Sequence, residues 1–270
     1  MKKIIPILLF SFLLTACSRN AITGRNQFKL LPESELQSMA DSEYSKFLSS
    51  NKILTPYSNR DAQMVTRVGQ RIRKSVETYY AEKGLSNQLQ GFKWEYNLIE
   101  NNAVNAWCMP GGKIVVYTGL LPISRNEAAL AVIMGHEVSH AIFQHGNERM
   151  SQGLAQQLGG VALAVAVSNK PAETQNLFLG AYGISTAVGF LLPFSRKHEL
   201  ESDRYGLIWA AMAGYNPQEA IGLWERMEAA SGSQKPPEFL STHPAEGRRI
   251  DQLEKYMPEA LKYYKPVSTN

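Results

Sequence analysis

Apolar and polar positions along the chain change period several times, and each change marks an element. Ile4 to Leu14 is an unbroken apolar run behind the basic start Met1-Lys2-Lys3, too short for an ordinary transmembrane helix. Ser18 to Asn26 is polar, contains Gly24 and reads as a tether. Phe28 to Leu31 fits a short strand. From Glu33 onward, Leu36, Met39, Ala40, Phe47 and Leu48 recur at helical spacing. A second helical pattern starts near Asp61 and carries Val65, Val68, Ile72, Val76 and Tyr79. Neither pattern holds a chemical motif, so both predict packing helices. After the loop Gly84 to Gly91, Phe92 to Ile99 alternates as a strand does. Asn105 to Met109 and Lys113 to Tyr117 flank Pro110-Gly111-Gly112, which predicts a hairpin.

The densest apolar pattern follows. Ser124-Arg125-Asn126-Glu127 reads as a capping box, and helical character continues to about Met150. Within it lies His136-Glu137-Val138-Ser139-His140. Residues four apart on a helix share a face, so the two imidazoles point the same way, one turn apart. Two imidazoles so placed suit two corners of a tetrahedral Zn²⁺ site. Glu137, beside them, is placed to accept a proton from a water that the ion acidifies. On this continuous helix His145 falls off the ligand face, and it reads as a helix-end or surface histidine.

Two further apolar runs, Leu154 to Val167 and Leu177 to Leu192, are rich in Gly and Ala. The second fits either a buried helix beside the site or a segment at the lower limit for a membrane span. The next helical pattern holds Glu199 and Asp203 one turn apart, which suits a third metal ligand with a carboxylate that orients a ligand histidine. Taken alone, this stretch is a solvated charged face; the incomplete metal set upstream changes that reading. Glu201 falls on the opposite face. Asn216-Pro217 predicts another helix start, running to about Ala230. Thr242-His243-Pro244 predicts the start of a last helix carrying Arg248, Arg249, Ile250 and Leu253.

Composition limits what surrounds this chemistry. The chain has 270 residues, 44% hydrophobic and 19% charged, which fits one good-sized domain or two small ones. The net charge of +4 comes from scattered Lys and Arg, so nucleic acid is not implied. Of the two cysteines, Cys17 follows Leu14-Thr15-Ala16 and resembles the lipobox of bacterial lipoproteins. That resemblance implies a signal peptide over 1–16 and a lipid on Cys17. It also implies a cell-envelope location on the periplasmic side, with Ser18 favouring the outer membrane. Cys108 then has no partner and reads as a packed thiol. The hairpin offers either a strand edge for peptide addition, through Asn105, Gly111, Gly112 and Val115, or an ordinary core hairpin.

The lipobox, Asn105-Ala106, Pro110-Gly111-Gly112, His136-Glu137 with His140, Glu199 with Asp203, and Thr242-His243-Pro244 with Arg249 occur in this order. Together they resemble the zinc metalloprotease family of the CAAX prenyl proteases, HtpX, BepA and LoiP, and within it the LoiP-type lipoproteins. The resemblance covers nearly everything after the tether. It implies a gluzincin-like α+β fold, mostly helical with a small sheet, over residues 31–265, behind a lipidated N-terminus and tether at 17–30. It implies one Zn²⁺ held by His136, His140 and Glu199, with Glu137 as general base. Asp203, Arg249 and His243 would line or brace the site. His243 is open to three roles: donor to the oxyanion, latch on the fourth metal position, or helix cap. The implied activity is a metalloendopeptidase acting on misfolded or damaged envelope proteins. The reading held against it is a non-catalytic or chaperone-like zinc-binding lipoprotein; against that, no residue of the metal set is missing.

Overall fold

The computed structural model describes residues 17–158, 171–182, 194–230, 237–244 and 249–266. The signal-peptide expectation at 1–16 therefore lies outside the described residues, as do 159–167 and 183–192 of the two late apolar runs.

The described chain is mostly helical around one small sheet. A two-stranded ribbon, β1 (Cys17–Arg19) and β2 (Asn26–Phe28), comes first, with Cys17 opposite Phe28. Then come α1 (Glu33–Ser49), β3 (Ile53–Leu54), α2 (Arg60–Glu82), β4 (Glu95–Ile99), β5 (Ala106–Met109) and β6 (Lys113–Tyr117). The strands order as β3-β4-β6-β5, with β4 and β6 parallel and the other pairs antiparallel. The helices that follow are α3 (Leu121–Ser124), α4 (Glu127–Ile142), α5 (His145–Leu158) and α6 (Pro171–Ala181). They continue with α7 (Arg196–Met212), α8 (Glu219–Ala229), α9 (Glu238–Thr242) and α10 (Arg249–Leu261). The α+β expectation holds, as do both packing helices and the hairpin.

The sheet is buried on both faces, and the two-residue period of its strands sorts side chains between two cores. Ile114, Val116, Ala106, Cys108 and Leu98 join α2, α4, α7, α8 and α10. Val115, Tyr117, Trp107, Met109 and Ile99 join α1, α5 and α6. Val115 thus lies on the inner strand β6, paired with Asn97 on one side and Trp107 on the other, and offers no free edge. The edge strands are β3 and β5, and all four residues of β5 are buried. Gly111 and Gly112 form the turn with φ of 77° and 81°; a Cβ on Gly112 would sit 2.6 Å from the Trp94 ring. Their carbonyls accept from Lys93 and Glu95, so the turn is tied to β4. Among the described residues no helix is long and apolar enough to cross a membrane.

Two features set the geometry of the site. First, α4 and α7 cross where glycine meets glycine. A Cβ on Gly135 would lie 2.8 Å from the Gly206 carbonyl oxygen, and one on Gly206 would lie 2.8 Å from the His136 nitrogen. Only the absence of both side chains lets the backbones approach this closely. Second, α4 does not run to Met150. It ends at Ile142, and Gln144 takes a left-handed φ of 56° before α5 restarts at His145. The start of α4 also differs from the expected capping box. Asn126 is the N-cap, accepting from the Ala129 N–H at 2.8 Å. Ser124 closes α3 by donating to the Leu121 carbonyl, and Arg125 between them has a φ of 66°. Both Ser124 and Asn126 are residues that cap, and the turn at Arg125 decides between them.

Candidate metal centre

The glycine crossing brings the inward faces of α4 and α7 together, and α9 supplies the remaining group at its C-terminal end. Donor atoms of His136, His140, Glu199 and His243 all lie within 4.8 Å of one another, and all four residues are buried. His136 Nε2 is 3.0 Å from His140 Nε2 and 3.3 Å from His243 Nδ1. Glu199 Oε1 is 3.1 Å from His243 Nδ1 and 3.4 Å from His140 Nε2, while Oε2 lies 3.6 Å from His136 Nε2. Zinc–nitrogen bonds of roughly 2.0–2.1 Å in a tetrahedron put neighbouring ligand atoms about 3.3 Å apart. The four donors match that spacing. Nitrogen atoms with lone pairs facing one another in a buried pocket are unfavourable neighbours without a shared cation, so the donor chemistry fits a metal ion.

The supporting groups are specific. Asp203 Oδ1 is 2.9 Å from His136 Nδ1 and accepts from Arg249 Nη2 at 2.6 Å. Arg249 Nη1 lies 3.2 Å from Glu199 Oε2, and its guanidinium sits 3.5 Å over the Trp224 ring. One arginine on α10 thus holds Glu199 and Asp203 of α7 together. Glu137 Oε1 is buried, has no hydrogen-bond partner and lies 3.4 Å from His243 Nε2. His243 ends α9 rather than starting the next helix; its N–H donates to the Phe239 carbonyl at 2.9 Å. Its ring stacks between Phe239 and Phe194.

Charge states follow from burial and neighbours. Burial pushes the Glu137 carboxyl well above the usual carboxylate range, and the nearby charge of Glu199 adds to this. Burial works against ionisation of Glu199, but His243, His140 and Arg249 together hold it well below its ordinary value. Burial lowers His140 well below the ordinary imidazole value and brings His243 down to about 4. Neutral imidazoles and an ionised carboxylate are the forms that ligate a cation.

The structure therefore brings together His136, Glu137, His140, Glu199, Asp203, His243 and Arg249. Of the hairpin set, Asn105 reaches only as far as α9, donating to Glu238 Oε1 at 3.1 Å. Several residues near the site escape the sequence reading. His145 is buried, with Nδ1 3.0 Å from His140 Nδ1 and Nε2 2.9 Å from Glu201 Oε2. Arg25 reaches in from the N-terminal ribbon to Glu148 and Glu201. Arg149 lies 3.7 Å over Phe194, and burial lowers it to about 9. The five-residue step from His140 to His145 was visible, but on an unbroken helix it points away from the ligand face.

Comparison with known proteins extends this picture. The mitochondrial metalloendopeptidase OMA1 of Schizosaccharomyces pombe is 33% identical over 242 residues, covering 88% of this chain and 66% of that protein. The Saccharomyces cerevisiae OMA1 is 34% identical over 202 residues, 71% of this chain and 55% of that protein. The beta-barrel assembly-enhancing protease of Escherichia coli is 30% identical over 165 residues, 58% of this chain and 33% of that protein. This chain thus spans between about a third and two thirds of the length of these relatives. The names overturn one expectation. The two OMA1 relatives, which align over more of the chain, are mitochondrial proteins by name, against the expected lipid-anchored place in a bacterial outer membrane. That expectation rested on the short run ending at Cys17, and such runs are shared by several kinds of targeting segment. Residues 67–257, which take in both metal-facing helices and the His243 turn, match peptidase family M48, and the chain belongs to that family.

Proposed function

We propose that the chain is a zinc-dependent metalloendopeptidase, hydrolysing internal peptide bonds of extended polypeptide segments, with misfolded or damaged proteins as the substrate class. The observation that carries this is the convergence of His136, His140 and Glu199 donors beside a buried, unpartnered Glu137 carboxylate oxygen. His136 and His140 would hold the ion through Nε2, and Glu199 through its carboxylate. Bound zinc supplies Lewis-acid polarisation of the scissile carbonyl and makes a nearby water easier to deprotonate.

The remaining chemistry belongs to the chain. Glu137 in its ionised form is placed to accept a proton from the attacking water, and burial beside Glu199 raises its affinity for that proton. Asp203 accepts from the His136 Nδ1–H, fixing the tautomer that leaves Nε2 free to bind. Arg249 holds Asp203 and Glu199 in register and offsets their charge. The sheet-edge strand β5, packed on α4, is the strand against which an extended peptide would pair once its buried edge is uncovered. The full set of buried donors with an adjacent base supports catalysis over a purely binding role.

His243 Nδ1 stands among the ligand atoms, at the fourth corner. That position favours the latch role, in which the imidazole moves aside for substrate, over a donor role in which it would stand clear of the ligands.

The test is Glu137→Gln, which keeps shape and leaves the ligands untouched. Zinc content should equal that of the wild type while peptide hydrolysis falls by about 10²–10⁴-fold. Full activity with metal bound would sink the mechanism. His243→Ala separates the roles of that residue. Kept or raised kcat supports the latch, whereas lower kcat with zinc retained supports the donor.

A further inference from the structure

Beyond the four donors, His145, Glu148 and His198 form a second buried group with ligand atoms within 4.8 Å. It reads at first as another cation site. The cation's place, however, is already taken by the chain. Arg25 grips both Glu148 oxygens, with Nη1 at 2.7 Å from Oε2 and Nη2 at 2.5 Å from Oε1, and its Nε donates to Glu201 Oε2 at 2.7 Å. Gln27 adds a hydrogen bond to Glu148 at 2.7 Å. The guanidinium between two carboxylates already supplies the positive charge that a bound cation would bring to this group. Its effect is directed outward, toward His140.

The donors and acceptors can be ordered. For His140 to bind a metal through Nε2, its Nδ1 carries the proton. That N–H faces His145 Nδ1 at 3.0 Å, so His145 accepts there and carries its own proton on Nε2. His145 Nε2 then donates to Glu201 Oε2 at 2.9 Å, and the same oxygen accepts from Arg25. With the proton on His140 Nδ1, the other His145 tautomer would set two N–H groups against each other and leave a bare Nε2 facing the Glu201 oxygen. The His145 ring is fixed in place by stacking on His198, with centroids 4.3 Å apart and planes 16° from parallel. The break at Gln144 is what turns His145 back onto His140.

We propose that His145 is the positioning residue of His140, as Asp203 is of His136, and that Glu201 with Arg25 of the N-terminal ribbon holds it in the required tautomer. The metal site is thereby tied to residues 17–28, far outside the two metal-facing helices. The inference rests on His140 being a metal ligand, as proposed above.

The experiment measures zinc dissociation constants of the full chain by competition with a chelator of known affinity, together with the visible spectrum of the Co²⁺-substituted protein. His145→Leu should weaken zinc binding about 10–100-fold and alter the Co²⁺ bands, because an orienting partner of a ligand histidine is typically worth that much. His145→Asn, whose amide oxygen supplies an acceptor close to the Nδ1 position, should recover most of the loss. Because position 145 is buried, the partly exposed Arg25 gives an independent arm. Arg25→Met should fold, by circular dichroism, and still weaken zinc binding several-fold, with Arg25→Lys between it and wild type. Wild-type zinc affinity and an unchanged Co²⁺ spectrum in folded His145→Leu or Arg25→Met would overturn the positioning role. Absence of zinc binding by the wild-type chain would instead overturn the metal reading itself, so the two failures are distinguishable.

Discussion

Removing the carboxylate of Asp203 probes how much of the site is orientation. Its Oδ1 serves two buried groups at once, the His136 Nδ1–H at 2.9 Å and Arg249 Nη2 at 2.6 Å. In Asp203→Ala the imidazole loses the acceptor that fixes its tautomer, and its Nδ1 is left 3.3 Å from Arg249 Nη2, a second donor. Loss of such a partner typically lowers metal affinity about 10–100-fold, or roughly 1.4–2.7 kcal/mol. The two stranded donors add a stability cost of about 1–3 kcal/mol in the metal-free protein. Arg249 keeps Glu199 at 3.2 Å and its stack on Trp224, so its charge stays compensated and the domain should still fold. Asp203→Asn separates charge from shape. The amide retains an oxygen that can accept but lacks the charge that faces Arg249, so its loss of affinity should fall below that of Ala. The assay is chelator competition for zinc on the three proteins, with urea unfolding of the metal-free forms. Equal zinc affinity in all three, or a stability loss in Ala with no change in affinity, would refute the orienting role.

The helix crossing and one titrating group give two further tests. Gly206→Ala would place a methyl about 2.8 Å from the His136 backbone nitrogen. Because backbone must move, we expect a loss of about 1–3 kcal/mol in urea unfolding, and weaker zinc binding as Glu199 shifts away from His140. Glu33 is raised to about 7 by burial, against the opposing charge of Lys29. The unfolded carboxyl ionises first, so stability falls as pH rises from about 4.5 through about 7 and stays lower above it. Glu33→Gln should therefore gain melting temperature relative to wild type at about pH 8 and little at about pH 4.5; a pH-independent difference would count against the buried carboxyl.

Sequence period alone determined the pieces that are local. The four-residue spacing of His136 and His140, and of Glu199 and Asp203, puts each pair on one helical face whatever surrounds it. The extended run Lys113 to Tyr117 behind Pro110-Gly111-Gly112 likewise placed that strand, though not its position inside the sheet. That Val115 is flanked on both sides follows from β4 joining β6 in parallel, a pairing between strands separated by β5, which no local pattern records. The same limit hid His145. A continuous helix carries residue i+5 away from residue i, and only the left-handed turn at Gln144 reverses it. Ser124 and Asn126 are equally good caps by residue type, and Arg125's backbone chose between them. His243, Arg249 and Arg25 stood in the sequence as isolated residues, separated from the metal-facing helices by tens of positions. Their roles were decided by where helices cross and chains turn. Side-chain periodicity reports a face within one element, whereas a site assembled from α4, α5, α7, α9, α10 and the N-terminal ribbon depends on the packing between elements.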